Sequence, residues 1–216
     1  MNKILKTLRK TLRYDQKKHW DRISYSYLKT HDPIIDVGCG EGRFISQDVH
    51  TIIGIDWNPE SVKHCKLKGF KVIQGDIRVL PFEDGSICGI HCSHVIEHFL
   101  PSDVHKILTE FDRVLCDKGI LIIRSPLLWS EFYSDLTHVR PYTPTAIIQY
   151  LTHSTQTTLR HISGDYEIVR LKWRYKPLRV GVRYFDGILN SLNRWGFPWL
   201  TKNGYMLVMK KNDKND

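Results

Sequence analysis

The stretch Ile34-Ile35-Asp36-Val37-Gly38-Cys39-Gly40-Glu41-Gly42-Arg43-Phe44 sets an acid and three alternating glycines behind a short apolar run. Glycines so spaced permit a tight turn and let a ligand come close to the backbone. Their amides, at the start of an expected helix, can satisfy a carboxylate or a phosphate. Asp56, in Gly54-Ile55-Asp56-Trp57-Asn58-Pro59, is a carboxylate able to accept hydrogen bonds from two hydroxyls at once. Taken alone, Asp56 could cap the next helix and Asp76 could be a simple turn acid. Histidines gather in two places, His94-Val95-Ile96-Glu97-His98 and Ser134-Asp135-Leu136-Thr137-His138. Imidazole is the side chain suited to taking up a proton near neutral pH.

The His94 segment spells H-x-x-E-H, a zinc-peptidase pattern, with Cys88, His91 and Cys92 just before it. A zinc helix would need a third ligand and long helical flanks. Here the segment falls where a strand ends, so no metal is expected, and Cys88 and Cys92 are expected to pack as small apolar residues.

Alternating elements must carry these groups. Short apolar strands are expected at Ile34–Val37, Thr51–Ile55, Lys71–Gln74, Ser86–Cys92 and Ile120–Ile123. Asn58 can cap a helix that begins with Pro59 and ends near Gly69. The stripe Val104, Ile107, Leu108, Phe111, Val114 and Leu115 predicts a helix over Ser102–Leu115, followed by a turn at Asp117-Lys118-Gly119. A further helix is expected over Thr143–Leu151, with strands within Thr157–Trp173 and at Tyr205–Lys210. Repeated strand–helix–strand units of this length predict an α/β, Rossmann-like, doubly wound sheet of seven mostly parallel strands with helices on both faces.

The length of 216 residues suits one domain. The reading divides it into a basic amphipathic helical segment, 1–30, and a domain over 31–211, with an aromatic and basic insertion at 177–200. In the N-terminal segment Ile4, Leu5, Leu8 and Leu12 recur at helical spacing among lysines and arginines. No apolar run approaches the ~20 residues that span a bilayer. No signal peptide is expected. The odd count of five scattered cysteines suggests reduced thiols in a cytoplasmic protein. The net charge of +9 is concentrated at residues 1–20 and at Arg170–Arg183. Two basic ends on a balanced middle suggest an anionic partner: nucleic acid, acidic lipid or a phosphate-bearing substrate.

Glycines at 38, 40 and 42 behind Asp36, with Arg43 where a dinucleotide fingerprint wants glycine, resemble the class I S-adenosylmethionine (SAM)-dependent methyltransferases. The resemblance runs from about Ile34 to Pro126, and the strand near Tyr205 is read with it. It implies that SAM lies along Asp36, Gly38, Cys39, Gly40 and Gly42. Asp56 would hold the ribose hydroxyls, Asp76 the adenine amine and Ile77 the ring face, and Trp57, Ser93 and His94 are also expected to bind the cofactor. The stretch from Asp135 to Pro144 also resembles the D-x-T-H-x-R-x-(F/Y)-T-P segment of methyltransferases of bacterial cell-surface glycan pathways.

Methyl transfer to a hydroxyl needs alignment and removal of a proton. His138 is the first candidate base, His98 and Glu97 follow, and Asp135 could orient a histidine. A structural role for His138, with the loop anchored by Arg140 and Tyr142, is an equal alternative. The expected acceptor is a sugar, a glycolipid or another small molecule, open to phosphate linkage and to peripheral contact with the inner membrane face. RNA or a quinone-like molecule is an alternative acceptor, although no separate RNA-binding module is visible. A catalytically silent SAM-fold binding protein is a further alternative, and an NAD-dependent oxidoreductase a more distant one.

Overall fold

A computed structural model of the chain describes residues 16–152, 161–163, 165–175 and 201–213. The amphipathic pattern at Ile4–Leu12 and the aromatic insertion at 177–200 lie outside them.

The elements in chain order are α1 (Gln16–Leu28), β1 (Ile34–Val37), β2 (Ile52–Asp56), α2 (Pro59–Leu67), β3 (Val72–Gln74), β4 (Ile87–Ser93), α3 (Pro101–Val114), β5 (Leu115–Pro126), α4 (Pro144–Leu151), β6 (Tyr166–Tyr175) and β7 (Lys202–Lys211). They build one seven-stranded sheet in the order β3-β2-β1-β4-β5-β7-β6. Strands β1 to β5 pair in parallel, while β7 runs antiparallel to both β5 and β6. The chain leaves β1 toward β2 on one side and returns to β4 on the other, so the strand order reverses beside β1. In open α/β sheets, ligands settle beyond the carboxyl ends of the strands at such a reversal.

Period-two alternation sorts the apolar residues to the two faces. Ile34, Ile52, Ile120, Ile122, Met206 and Val208 join Trp20 and Leu28 of α1 in one core cluster. Ile35, Val37, Ile55, Leu121, Ile123, Leu207 and Met209 face the other side, against the α3 stripe. Trp20 and Leu28 of α1 are therefore buried in the same core as this face of the sheet.

Local chemistry accounts for the helix starts. The Asn58 side chain accepts from Glu60 N at 3.0 Å, and Pro59 occupies the first turn of α2. Thr143 accepts from Ala146 N at 3.3 Å ahead of Pro144 in α4.

Two expectations require correction. The glycine loop does not lead into an α-helix, only into a 3-10 turn at Ile45–Gln47. Asp48 stops it, because its carboxylate accepts from His50 N and Thr51 N and turns the chain straight into β2. The turn expected at Asp117–Gly119 does not separate α3 from its strand. It lies inside β5, where pairing jumps from Ile87↔Leu115 to Gly89↔Ile120 and Lys118 adopts φ 63°.

Candidate active site

At the carboxyl end of β1, Gly38, Gly40 and Gly42 all adopt positive φ. A Cβ on Gly38 would meet Val95 Cγ2 at 2.4 Å, so the loop can lie against the Ser93–Val95 turn only as glycine. A Cβ on Gly40 would meet nothing within 4 Å, which leaves open space beside that backbone. Gly40 N donates to Asp56 Oδ2 at 2.8 Å, and Asn58 N donates to Asp56 Oδ1 at 2.9 Å. Each oxygen keeps a lone pair for a ligand hydroxyl. Trp57, next in the chain, is 77% exposed.

The turn after β3 adjoins this acid, since Gly75 N donates to Asp56 O at 3.0 Å. Asp76 is gripped by its neighbour Arg78, with Nη2 donating to Oδ2 at 2.7 Å, and the hydrogen bonds from Arg78 hold its carboxyl below its ordinary range. Ile77 is almost wholly buried in the core cluster. Cys39 contributes through its backbone: its thiol packs within 2.7 Å of where a Gly54 Cβ would stand, and burial pushes its pKa up.

Asp36 and Arg43 have their side chains committed elsewhere. The Asp36 carboxylate is buried and lies 2.7 Å from Nδ1 of His91, whose ring stacks on Phe44 at 3.7 Å between centroids. Burial raises the Asp36 pKa and lowers that of His91, so the pair favours a state with little net charge. Arg43 points back to α1 and donates through Nε to Asp21 Oδ2 at 2.6 Å, while Arg124 donates to Asp21 Oδ1 at 2.7 Å. The position that excluded a dinucleotide fingerprint thus serves to fasten α1 over the glycine loop.

At the carboxyl end of β4, Ser93 Oγ is buried without a hydrogen-bond partner among the described residues. Such an orphan beside the glycine loop fits a ligand that completes it. His94 follows at φ 58° and lies 3.1 Å from Glu97 Oε1 through Nδ1 and 3.0 Å from Arg174 Nη1 through Nε2. Arg174 can only donate, so Nε2 accepts and Nδ1 carries the proton given to Glu97. Desolvation lowers the His94 pKa, in agreement with a neutral ring. Glu97 is fully buried and also accepts from Ser125 Oγ at 3.2 Å. Arg174 is anchored on Asn203, with Nε donating to Oδ1 at 3.1 Å, and desolvation brings its pKa down to about 10.

Sequence reasoning counted Arg174 in a basic surface stretch and did not single out Ser125, Asn203, Asp21 or Arg124. Arg174 and Ser125 fall just beyond the strands expected at Thr157–Trp173 and Ile120–Ile123, so no local pattern marked them; only the longer observed strands place them at the site.

The third part of the site joins residues far apart in sequence. His98 Nδ1 lies 3.2 Å from Thr137 O and 2.9 Å from Thr137 Oγ1. Thr137 Oγ1 donates in turn to Asp135 Oδ1 at 2.7 Å. His138 Nδ1 donates to Phe132 O at 2.7 Å, and its Nε2 stands 3.9 Å from Asp135 Oδ2. The two imidazole rings meet edge to face, 4.9 Å between centroids. The loop is tied down by Val139 N donating to Glu97 O at 2.8 Å and by Tyr142 Oη donating to Phe99 O at 2.8 Å. All four expected catalytic residues (Glu97, His98, Asp135 and His138) therefore lie in one cluster beyond β4 and β5.

Comparison with known proteins bears on the family and the fold. Residues 35–123 match the model of a family described as methyltransferase domain. An uncharacterized protein of Methanocaldococcus jannaschii is 33% identical over 108 residues, 47% of this chain and 46% of that one. A probable tRNA methyltransferase 9B of Mus musculus is 32% identical over 114 residues, 50% of this chain and 25% of that one. The chain therefore spans about half or less of the length of these relatives. The crystal structure of a SAM-dependent methyltransferase from Archaeoglobus fulgidus superposes with a TM-score of 0.69 at 21% identity, over 90% of this chain and 92% of that one. The chain thus has the class I methyltransferase fold. More particularly, residues 35–123 are similar to the methyltransferase domain family, whose implied cofactor is SAM. The open space at Gly40, the spare lone pairs of Asp56 and the orphaned Ser93 hydroxyl fit that cofactor.

Proposed function

We propose that the chain is an O-methyltransferase acting on a hydroxyl of a small acceptor of the sugar or glycolipid kind. Bound SAM supplies a methyl group on a sulfonium, already poised to leave. Gly38, Gly40 and Asp56 would hold the cofactor, and the protein's remaining task is to position a hydroxyl and draw off its proton. The observation that carries the reading is the His98–His138 pair, its Nδ1 protons committed to carbonyl oxygens and its rings in contact. Those bonds fix the tautomer and leave Nε2 of each ring as the nitrogen able to accept a proton. His138 is the base of first choice, its ring oriented by the bond to Phe132 O, while Asp135 orients His98 through Thr137.

The basic stretches 1–20 and 170–183 support an acceptor linked to phosphate and contact with an anionic membrane surface at the cytoplasmic face. No helix of the described residues is long and apolar enough to cross a membrane. The test is a screen of sugar and glycolipid acceptors with labelled SAM, followed by His138→Ala. Turnover should fall by about 10²–10⁴ with SAM affinity unchanged, and full turnover with the true acceptor would remove His138 from the chemistry. The basic charge and the similarity to a probable tRNA methyltransferase favour RNA as the second reading. Methylation of RNA alone in the same screen would establish it. Co-sedimentation with anionic vesicles tests the membrane contact.

A further inference from the structure

Glu97, His98 and His138 can bring one ligand atom each within 4.8 Å of the other two. They come from separate places: Glu97 and His98 from the 3-10 turn Ile96–His98 after β4, and His138 from the loop after β5. The surrounding bonds prepare each for coordination. Thr137 O and Phe132 O can only accept, so the protons of His98 and His138 sit on Nδ1 and the Nε2 lone pairs remain available. A metal-binding imidazole characteristically donates its other N–H to such a carbonyl, which fixes its orientation and raises its basicity. Glu97 is held in turn by Ser125 Oγ and His94 Nδ1, and its buried carboxylate has lone pairs beyond the two those donors use.

We propose that Glu97, His98 and His138 bind a divalent first-row cation at the acceptor end of the site. Two imidazoles and one carboxylate form a mixed nitrogen and oxygen set suited to manganese, iron, cobalt or zinc. Metal–ligand bonds near 2.0–2.1 Å put tetrahedral ligands about 3.3 Å apart, so an ion would draw together ligand atoms that now lie within 4.8 Å of one another. Three protein ligands leave coordination positions for water or an acceptor oxygen.

The H-x-x-E-H arrangement that the sequence suggests is not the one that converges. His94 stands at φ 58° with both ring nitrogens engaged, by Glu97 and by Arg174. The third ligand that a zinc helix lacked comes from His138 instead. The inference deepens the O-methylation reading and rests on it for the role of the cation. With its Nε2 lone pair on the ion, His138 no longer serves as the proton acceptor of the metal-free reading; the imidazoles would hold the ion, and the ion would instead ease loss of the acceptor's hydroxyl proton to water.

The experiment is titration of the untagged full chain, stripped with chelator, with Co²⁺ followed by absorption spectroscopy and with Mn²⁺ followed by calorimetry. A parallel SAM titration on every sample reports the fold. One equivalent of Co²⁺ should bind, with d–d bands of low-symmetry coordination. His98→Gln and His138→Gln should each weaken it at least about tenfold, while Asp135→Asn keeps the spectrum. Absence of Co²⁺ and Mn²⁺ binding in protein that binds SAM would overturn the proposal. So would binding that survives in the His98→Gln/His138→Gln double variant. Hydroxyl methylation at full rate in chelator would also sink it and leave the O-methyltransferase reading standing. Cation binding with only RNA methylated would sink that reading and keep the site.

Discussion

Asp21 links α1 to the cofactor loop, and its removal should cost more than that of any exposed ion pair. The carboxylate is completely buried and accepts from Arg124, 5% exposed, and from Arg43, 44% exposed. Asp21→Ala leaves Arg124 as a buried cation with its main counter-charge gone, a change worth about 3–5 kcal/mol. For a domain of this size that corresponds to a fall in Tm of about 6–20 °C. Arg43→Ala removes a half-exposed partner and should cost about 1 kcal/mol or less. Combining Asp21→Ala with Arg124→Met removes the uncompensated charge and should recover much of the loss.

The same group sets an acid limit. Burial works to raise the Asp21 pKa, but the hydrogen bonds from Arg43 and Arg124 outweigh it and hold the folded-state value below the ordinary one. Its stabilisation is therefore complete above the unfolded pKa of about 3.9 and is lost as pH falls through the lower folded value. Thermal melts of wild type and the three variants, at pH 7 and in steps below pH 4, test both statements. An Asp21→Ala protein no less stable than Arg43→Ala at pH 7 would refute the reasoning, because it would mean that Arg124 is not held by Asp21.

Three further outcomes follow from the site. Gly38→Ala combines a left-handed conformation, about 1–2 kcal/mol, with a clash on Val95 worth about 1–3 kcal/mol, and should lower Tm strongly by calorimetry. Gly40→Ala meets no neighbour, so its Tm should fall by the conformational cost alone while its SAM affinity drops disproportionately. Asp56→Ala should weaken SAM binding by at least about tenfold, from loss of charge-assisted hydrogen bonds worth about 1.5–3 kcal/mol, as read by titration calorimetry.

The sequence by itself determined the sheet and the cofactor end of the site, because both are written in local pattern. A run such as Ile34–Val37 admits only a buried strand, Asn58-Pro59 starts a helix from two adjacent residues, and glycines at 38, 40 and 42 state a backbone requirement directly. Local pattern failed where a neighbour intervened: Asp48 capped off the helix expected after Gly42, and the turn at Asp117–Gly119 was absorbed into β5. Charge was the least legible property. Arg174 read as part of a basic stretch and Arg43 only as the residue in place of a fingerprint glycine, yet one is bound into the strand ends beside His94 and the other locks α1 to the loop. Ion pairing depends on what burial places opposite a charge, and no spacing within the chain encodes that. For the same reason only the tertiary structure could bring His138 against His98 and Glu97. Their meeting is set by how the chain returns past the ends of β4 and β5, a long-range consequence of strand order that neither segment carries alone.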